Sequence, residues 1–295
     1  MEISQTQTLE HYLQTLKLPS MRANYKQAAE ESLKLGTSYE TFLYRLSEAE
    51  VLGREQRSVQ NKIRLADFPH LKTLENFNFK TLPSLDKKYV MKLMSGDYIN
   101  RLQNILLLGN SGTGKTHLAT ALGLAACQKG YSVLFKTAAK LVHELIEAHN
   151  EKCLLSMQKK LKSHKLLIID ELGFVPFSKT GAELLFEVFS ERYEKGSIIV
   201  TSNLPFEQWP EVFGCTRLTG ALLDRLTHHV HILEMNGESY RLGSRCKEKQ
   251  QDKQIESKQD EATNIEENKD QEVEVEPEIQ EIRAIDTENI EMITD

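Results

Sequence analysis

The chain has 295 residues, of which 40% are hydrophobic and 27% charged, with a formal net charge of −6. Its apolar runs, such as Ile105–Leu108, are far shorter than the roughly 20 residues that cross a bilayer, so we expect no membrane association. The four cysteines form no close pair, which excludes a disulfide framework or a zinc-ligand spacing and favours a reducing, cytoplasmic setting.

The charge is distributed unevenly along the chain. Residues 247–295 contain 17 acidic and 6 basic residues, a net charge of −11, whereas residues 1–246 have a net charge of +5. The acidic segment has no aromatic residue and is too polar to bury a core, so we predict that 247–295 is a disordered acidic tail. A nucleic-acid partner would therefore meet a basic protein body.

Residues 1–66 repeat apolar residues at helical spacing, which predicts a small all-helical N-terminal domain. We expect this domain to bind DNA or a protein partner. Thr37 and Glu40 have the spacing of a capping box and predict the start of a long helix that continues to Arg64. Leu52, Val59 and Ile63 fall on one face of that helix.

The opposite face of the same predicted helix is basic. Its arginines are Arg54, Arg57 and Arg64. Arginines at helical spacing can follow a nucleic-acid backbone, so these residues are candidate contacts to DNA phosphates. The alternative is an ordinary solvated helix face.

From residue 101 the pattern changes from helical to mixed. Residues 67–100 contain Pro69, Pro83 and Gly96 with little periodicity, and we interpret them as a connector. Residues 101–246 alternate helical stretches with short apolar runs. These runs are Ile105–Leu108, Val133–Phe135, Leu166–Ile169 and Ile198–Val200. This alternation predicts an α/β domain with a parallel sheet flanked by helices.

A phosphate-binding motif follows the first apolar run. The residues Gly109, Asn110, Ser111, Gly112, Thr113, Gly114, Lys115 and Thr116 match G-x-x-x-x-G-K-[ST]. In such loops backbone N–H groups and a helix N-terminus surround phosphate oxygens. We expect Lys115 to reach the β- and γ-phosphates of ATP and the Thr116 hydroxyl to ligate Mg²⁺. The adjacent His117 is included in the predicted ATP site.

Two further runs end in polar residues that complete this chemistry. The run 166–169 is followed by Asp170 and Glu171, at the sheet edge where ligands bind in parallel sheets. We expect Asp170 to hold the magnesium ion and Glu171 to act as general base on the attacking water. Asn203, after the run 198–200, is a candidate to orient that water; its alternative is a turn residue before Leu204 and Pro205.

Two arginines can neutralise the charge that develops on the γ-phosphate. They are Arg225 and Arg241, and either can act in its own chain or from a neighbouring subunit. Arg225 has the alternative of a structural ion pair with Asp224 or Glu238.

A second basic segment, residues 152–165, contains five lysines and no acidic residue. Three of them, Lys159, Lys160 and Lys162, are candidate DNA contacts on a helical insertion. A solvated helix explains them equally well.

Taken together, these motifs resemble the IstB-like transposition helper ATPases. The resemblance covers roughly residues 5–245. Its most specific stretches are 201–206 (TSNLPF), 223–226 (LDRL) and 237–241 (GESYR). It implies an AAA+ ATPase of the initiator type, akin to DnaC helicase loaders and DnaA, that assembles on double-stranded DNA with ATP bound and assists a transposase encoded beside it.

The resemblance also implies roles for individual residues. It makes Asn203 the sensor-1 residue and Arg225 an arginine finger that acts between subunits, so that the oligomer forms through the ATP site. Arg241 is the position to test for a sensor-2 role. Cys215 departs from the family pattern, which has an acidic residue there, and the tail after residue 246 lies outside the resemblance.

Three alternatives share parts of this pattern. A DnaC-like replicative helicase loader would use the same ATPase chemistry with another protein partner. A DNA-binding scaffold that barely hydrolyses ATP is disfavoured by the Asp170-Glu171 pair. A small-molecule kinase is disfavoured by the absence of an evident lid for an acceptor substrate and by the combination of Asn203 with Arg225.

Overall fold

The computed structural model of the chain describes residues 4–237. Three helices come first, α1 (Gln5–Thr15), α2 (Pro19–Leu35) and α3 (Tyr39–Leu65), followed by two short helices, α4 (Lys87–Leu93) and α5 (Asp97–Asn100). Single 3-10 turns lie at Leu74–Asn76, Phe79–Thr81 and Phe206–Gln208. The all-helical N-terminal region is confirmed.

Within residues 4–237, five strands and six helices follow in a mixed pattern, and the four predicted apolar runs form β1 to β4. The strands are β1 (Asn104–Leu108), β2 (Val133–Thr137), β3 (Leu166–Leu172), β4 (Ser197–Ser202) and β5 (Val230–Glu234). The helices are α6 (Lys115–Gln128), α7 (Ala138–Asn150), α8 (Leu154–Ser163), α9 (Lys179–Arg192), α10 (Trp209–Phe213) and α11 (Thr216–Thr227).

The strands form one parallel sheet in the order β2-β3-β4-β1-β5. Ile105, Leu107 and Ile168 pack into one hydrophobic cluster with α6, whereas Leu106, Leu167 and Ile169 pack into another with α7, α9 and α11. Helices therefore cover both faces of the sheet, whose strands β1 to β4 are largely buried while the edge strand β5 is partly exposed. The predicted α/β fold is confirmed.

Residues 67–100, which the sequence predicts to be a connector, also contribute side chains to the hydrophobic core. Phe77, Leu82, Val90 and Tyr98 are buried and belong to the same hydrophobic cluster as α6 and β1. The segment lacks helical periodicity because most of it is extended or in single turns, so its apolar residues reach the core without a repeating pattern.

The long helix α3 begins one residue later than the capping-box spacing predicts. Ser38 is its N-cap, accepting a hydrogen bond from the Thr41 N–H, and Thr37 is not the cap. At its other end the Ala66 carbonyl accepts from the Phe135 N–H on β2 at 2.7 Å. The adjacent Asp67 pairs with Lys136 at 3.3 Å, so the helix end is fixed to the edge of the sheet.

Candidate functional site

The phosphate-binding motif forms a loop between β1 and α6. Gly109, Gly112 and Gly114 all have positive φ, at 146°, 82° and 90°, a region that side-chain-bearing residues rarely adopt. A Cβ at Gly109 would collide with the Met235 carbonyl oxygen on the neighbouring chain segment. The glycines are therefore required by the turn itself, independently of any ligand.

Lys115 lies inside this loop. Its Nζ donates to the carbonyl oxygens of Gly109 at 2.8 Å and Asn110 at 2.7 Å, and the residue is buried. The Thr113 hydroxyl also donates to the Asn110 carbonyl, at 2.9 Å. The ammonium group is thus held at the centre of the loop, where phosphate oxygens bind in loops of this type.

Thr116 and Asp170 meet across the gap between α6 and β3. The Thr116 hydroxyl lies 3.1 Å and 3.0 Å from the two carboxylate oxygens of Asp170. Asp170 is 3% exposed, and this burial raises the pKa of its carboxyl group, while hydrogen bonds from Thr201 and Thr116 act in the opposite direction. A hydroxyl and a buried carboxylate beside a phosphate loop are oxygen donors of the kind that Mg²⁺ prefers.

Glu171 leaves the plane of the sheet through a β-bulge. Ile169 pairs with Val200 and Leu172 with Ser202, so Asp170 and Glu171 together lie opposite the single residue Thr201. Glu171 has a φ of 60° and is exposed, whereas both of its neighbours are buried. Bulges are often found next to active sites, where they re-aim a side chain. Here the bulge directs a carboxylate outward next to the Asp170 site.

Asn203 follows β4 directly and is exposed at the same edge of the sheet. The preceding Ser202 hydroxyl donates to the Leu172 carbonyl at 2.7 Å and accepts from the Leu204 N–H at 3.1 Å. One buried hydroxyl therefore joins the end of β3 to the loop that carries Asn203. The carboxyl ends of three strands therefore carry the predicted site residues. The loop 109–116 follows β1, Asp170 and Glu171 lie near the end of β3, and Asn203 follows β4.

Arg225 lies elsewhere on the same domain. It is in the last turn of α11, where its guanidinium donates to the Ala221 carbonyl at 2.8 Å and lies 5.0 Å from the ring centre of Phe186. The next residue, Leu226, accepts a hydrogen bond from the side chain of Asn104, the first residue of β1. Arg225 is thus near the amino end of β1, whereas its own nucleotide loop follows the carboxyl end.

His117 points away from the loop centre. Its Nε2 lies 2.7 Å from the Thr73 carbonyl oxygen, and its ring packs edge-on against Phe77. Phe77 also lies close to Gly114. The sequence motifs do not predict Thr73 and Phe77, because both lie in a segment without periodicity. They do not predict the role of Thr201 either, because a β-bulge leaves no pattern in an apolar run.

Two of the three arginines predicted to contact DNA also make contacts within the helical region, while 62% of the Arg54 side chain and 44% of the Arg57 side chain stay exposed. Arg57 donates to Glu50 at 3.0 Å and to the Ser20 hydroxyl at 2.9 Å, and Arg54 donates to the Lys17 carbonyl at 3.3 Å. Arg64 is exposed and donates to Asn61 at 3.4 Å. The face of α3 that carries Arg54 and Arg57 therefore packs against α2.

The carboxylate of Glu50 organises this packing. It is 3% exposed and accepts the N–H groups of Ser20 at 2.7 Å and Met21 at 3.1 Å, the first turn of α2. Burial opposes its ionisation, but these amides and Arg57 keep the pKa of Glu50 below its usual value. An anion at a helix N-terminus is stabilised by the unpaired N–H groups there.

The lysines of the second basic segment lie on α8. Lys159, Lys160 and Lys162 are exposed, on the side away from the buried Leu161, and Lys162 pairs with Glu191 at 2.9 Å. The expected basic helix is present, and its contact with DNA stays a prediction.

Some predictions concern residues that the structure does not describe. Arg241 and the acidic tail 247–295 lie outside residues 4–237, so the sensor-2 hypothesis and the role of the tail stay predictions. Among the described helices, none is long and apolar enough to cross a membrane.

The chain is similar to several proteins of insertion sequences. It is 41% identical over 249 residues to a putative ATP-binding protein of insertion sequence IS5376 from Geobacillus stearothermophilus, covering 83% of this chain and 97% of that protein. It is 40% identical over 239 residues to the putative ATP-binding protein of insertion sequence IS21 from Pseudomonas aeruginosa, covering 81% of this chain and 90% of that protein.

Solved structures give partial likenesses. The replication initiator DnaA bound to AMPPCP and single-stranded DNA aligns with a TM-score of 0.48 and 22% identity, over 58% of this chain and 52% of that chain. The DnaC helicase loader aligns with a TM-score of 0.44 and 20% identity, over 50% of this chain and 86% of that chain.

A family model extends the sequence likeness over most of the chain. The model described as IstB-like ATP binding protein matches residues 11–248, which include the phosphate loop, Asp170, Glu171, Asn203 and Arg225. Together with the relatives of insertion sequences, this match shows that the chain belongs to the IstB-like ATP binding protein family.

Proposed function

We propose that this protein is an Mg²⁺-dependent ATPase that assembles on double-stranded DNA, deforms it and assists a transposase. The observation that carries the proposal is the contact between Thr116 and Asp170 beside the phosphate loop, with the exposed carboxylate residue Glu171 directly after Asp170. A nucleotide-binding protein needs the loop alone, whereas a hydrolytic one also needs a carboxylate that can accept a proton from water. Glu171 is the exposed carboxylate at this position.

The donor set fits a magnesium ion. The Thr116 hydroxyl and the Asp170 carboxylate would hold it, the latter directly or through water. Held by these two residues, the ion would neutralise negative charge that develops on the phosphate oxygens.

Residues of the chain itself bind the phosphates and activate the attacking water. The loop amides and Lys115 hold the phosphates in place. Glu171 accepts a proton from the attacking water, and Asn203 at the same sheet edge orients that water. Phosphoryl transfer depends mostly on such positioning and charge stabilisation. Arg225 of a neighbouring copy would add a positive charge that stabilises the γ-phosphate during transfer.

The names of the relatives favour the transposition role over replicative helicase loading. The similar proteins are ATP-binding proteins of insertion sequences, so a transposase is the expected protein partner. The basic α8 and Arg64 are the surfaces proposed to contact DNA phosphates.

Glu171→Gln tests the hydrolytic part of this proposal. The amide keeps the size of the side chain but cannot act as a base, so turnover should fall by at least about 100-fold. ATP affinity should stay near the wild-type value because the loop 109–116 and Lys115 are unchanged. ATP-bound assemblies on duplex DNA should persist longer, as measured by phosphate release and by retention of labelled DNA.

A matched control is Glu183→Gln, which removes an exposed carboxylate from α9. It should leave turnover at the wild-type level. Wild-type turnover and DNA retention in Glu171→Gln would refute the assignment of the general base.

A further inference from the structure

One buried hydroxyl lies between the two carboxylate residues of the site. Thr201 on β4 is 1% exposed. Its hydroxyl donates to Asp170 Oδ1 at 2.6 Å and accepts the backbone N–H of Glu171 at 2.9 Å. A single side chain thus contacts the proposed magnesium ligand and the backbone of the proposed base.

The bulge explains why a hydroxyl is needed there. Asp170 and Glu171 share one partner position on β4, so the ladder between the two strands is interrupted at this point. Without a hydrogen-bond partner, the N–H of Glu171 would destabilise the strand at this partly buried point. The Thr201 hydroxyl supplies that partner, and at the same time its proton is directed at the Asp170 carboxylate.

The same contact bears on the strained backbone of Glu171. A non-glycine residue at a φ of 60° inside a strand is held there against its own preference. If the N–H of Glu171 were released, the strand could return to regular pairing, which would turn the carboxylate toward the other side of the pleat.

We propose that Thr201 is a positioning residue of ATP hydrolysis: its hydroxyl holds Glu171 in the outward, left-handed conformation and fixes Asp170 toward Thr116. The inference rests on the proposed function, because it assigns Thr201 to the same reaction. Thr201 is buried and acts through the two carboxylate residues that it contacts. Ser202 assists by anchoring the Leu172 carbonyl on the far side of the bulge.

Two substitutions separate the hydroxyl from the packing. Thr201→Val keeps the volume and removes both hydrogen bonds, whereas Thr201→Ser keeps the hydroxyl and loses a methyl group. The rate constant kcat should fall about 30-fold in Thr201→Val and stay within about threefold of wild type in Thr201→Ser. The Kd for ATP should change by less than about fivefold in both variants, because Lys115 and the loop are intact.

Thr219→Val is the control for losing a buried threonine hydroxyl elsewhere, since Thr219 is 1% exposed and donates to the carbonyl of Cys215, the N-cap of α11. It should retain wild-type kcat. Wild-type kcat in Thr201→Val, or equal losses in Thr201→Val and Thr201→Ser, would overturn the positioning role.

A second readout separates this inference from the proposed function. Amide hydrogen exchange at Glu171 should rise at least about 10-fold in Thr201→Val and stay near wild type in Thr201→Ser. If the wild-type protein binds ATP without hydrolysing it, the proposed function fails. The exchange measurement still shows whether the Thr201 hydroxyl holds the N–H of Glu171. Unchanged exchange in Thr201→Val would overturn the inference.

Discussion

At Gly109 the backbone and its surroundings both require a glycine. The residue has a φ of 146°, and a Cβ there would collide with the Met235 carbonyl oxygen just after β5. The motif predicts a glycine at this position because the backbone must approach the phosphate. The structure adds a second reason that is independent of any ligand: the end of β5 lies directly against the start of the loop.

Gly109→Ala should therefore destabilise the fold as well as impair ATP binding. We expect the free energy of unfolding to fall by about 3 kcal/mol, from backbone strain and the collision together. The matched control is Gly214→Ala, where φ is 66° and nothing lies within 4 Å of the added atom; there the loss should be about 1 kcal/mol. Urea unfolding of both variants measures the difference, and equal losses would contradict this account of Gly109.

The residues that carry chemistry differ in how far the sequence predicts them. Lys115, Thr116 and Asp170 follow from motif spacing, because the strand-loop-helix context fixes where they lie. Thr201 does not follow, because its role depends on a one-residue bulge in β3. An apolar run ending in two acidic residues looks the same with or without that bulge.

At the level of elements, α3 shows the limit of periodicity arguments. Its existence and length are predicted closely, but its buried positions are not. Leu52, expected on the packed face, is 53% exposed, whereas Glu50 is 3% exposed. A buried carboxylate is compatible with packing here because it caps the N-terminus of α2 and pairs with Arg57.

Of the three arginines predicted to contact DNA, Arg64 has the fewest contacts within the helical region, so its contribution to DNA binding is the simplest to isolate. Arg64→Ala should weaken duplex binding and reduce the slope of log affinity against log salt by about one, since one phosphate contact is lost. Arg45 is also exposed on α3, about 28 Å away along the helix, and Arg45→Ala is the matched control.

Fluorescence anisotropy with a labelled duplex at several salt concentrations measures both variants. An equal effect of the two substitutions would mean that Arg64 contributes only general positive charge. No effect of either would leave α8 as the remaining candidate surface.

At the scale of the whole molecule, the four strands β1 to β4 and their parallel direction follow from the apolar runs of the sequence, but the order β2-β3-β4-β1-β5 does not. That order depends on which buried faces match, and apolar runs carry no such information. The same holds for residues 67–100, whose side chains fill the core beneath α6 without any pattern in the sequence. Long-range packing decides both features.

The placement of Arg225 is the consequence of this architecture that matters most for function. It lies near the amino end of β1, while the loop it would serve follows the carboxyl end. In an extended strand, the first and last residues of β1, Asn104 and Leu108, are about 13 Å apart. A role within its own chain is therefore disfavoured, and a role across a head-to-tail contact between copies is favoured.

Mixing two inactive variants tests this central claim most directly. Arg225→Ala keeps an intact Glu171 but lacks the finger, and Glu171→Gln keeps the finger but lacks the base. Each alone should bind ATP and duplex DNA without hydrolysing ATP. An equal mixture with DNA should recover about one quarter of the wild-type rate, because that share of contacts pairs an intact Glu171 with an intact Arg225. A mixture that assembles on DNA, as seen by electron microscopy, yet stays inactive would contradict the shared site, as would full activity of Arg225→Ala alone.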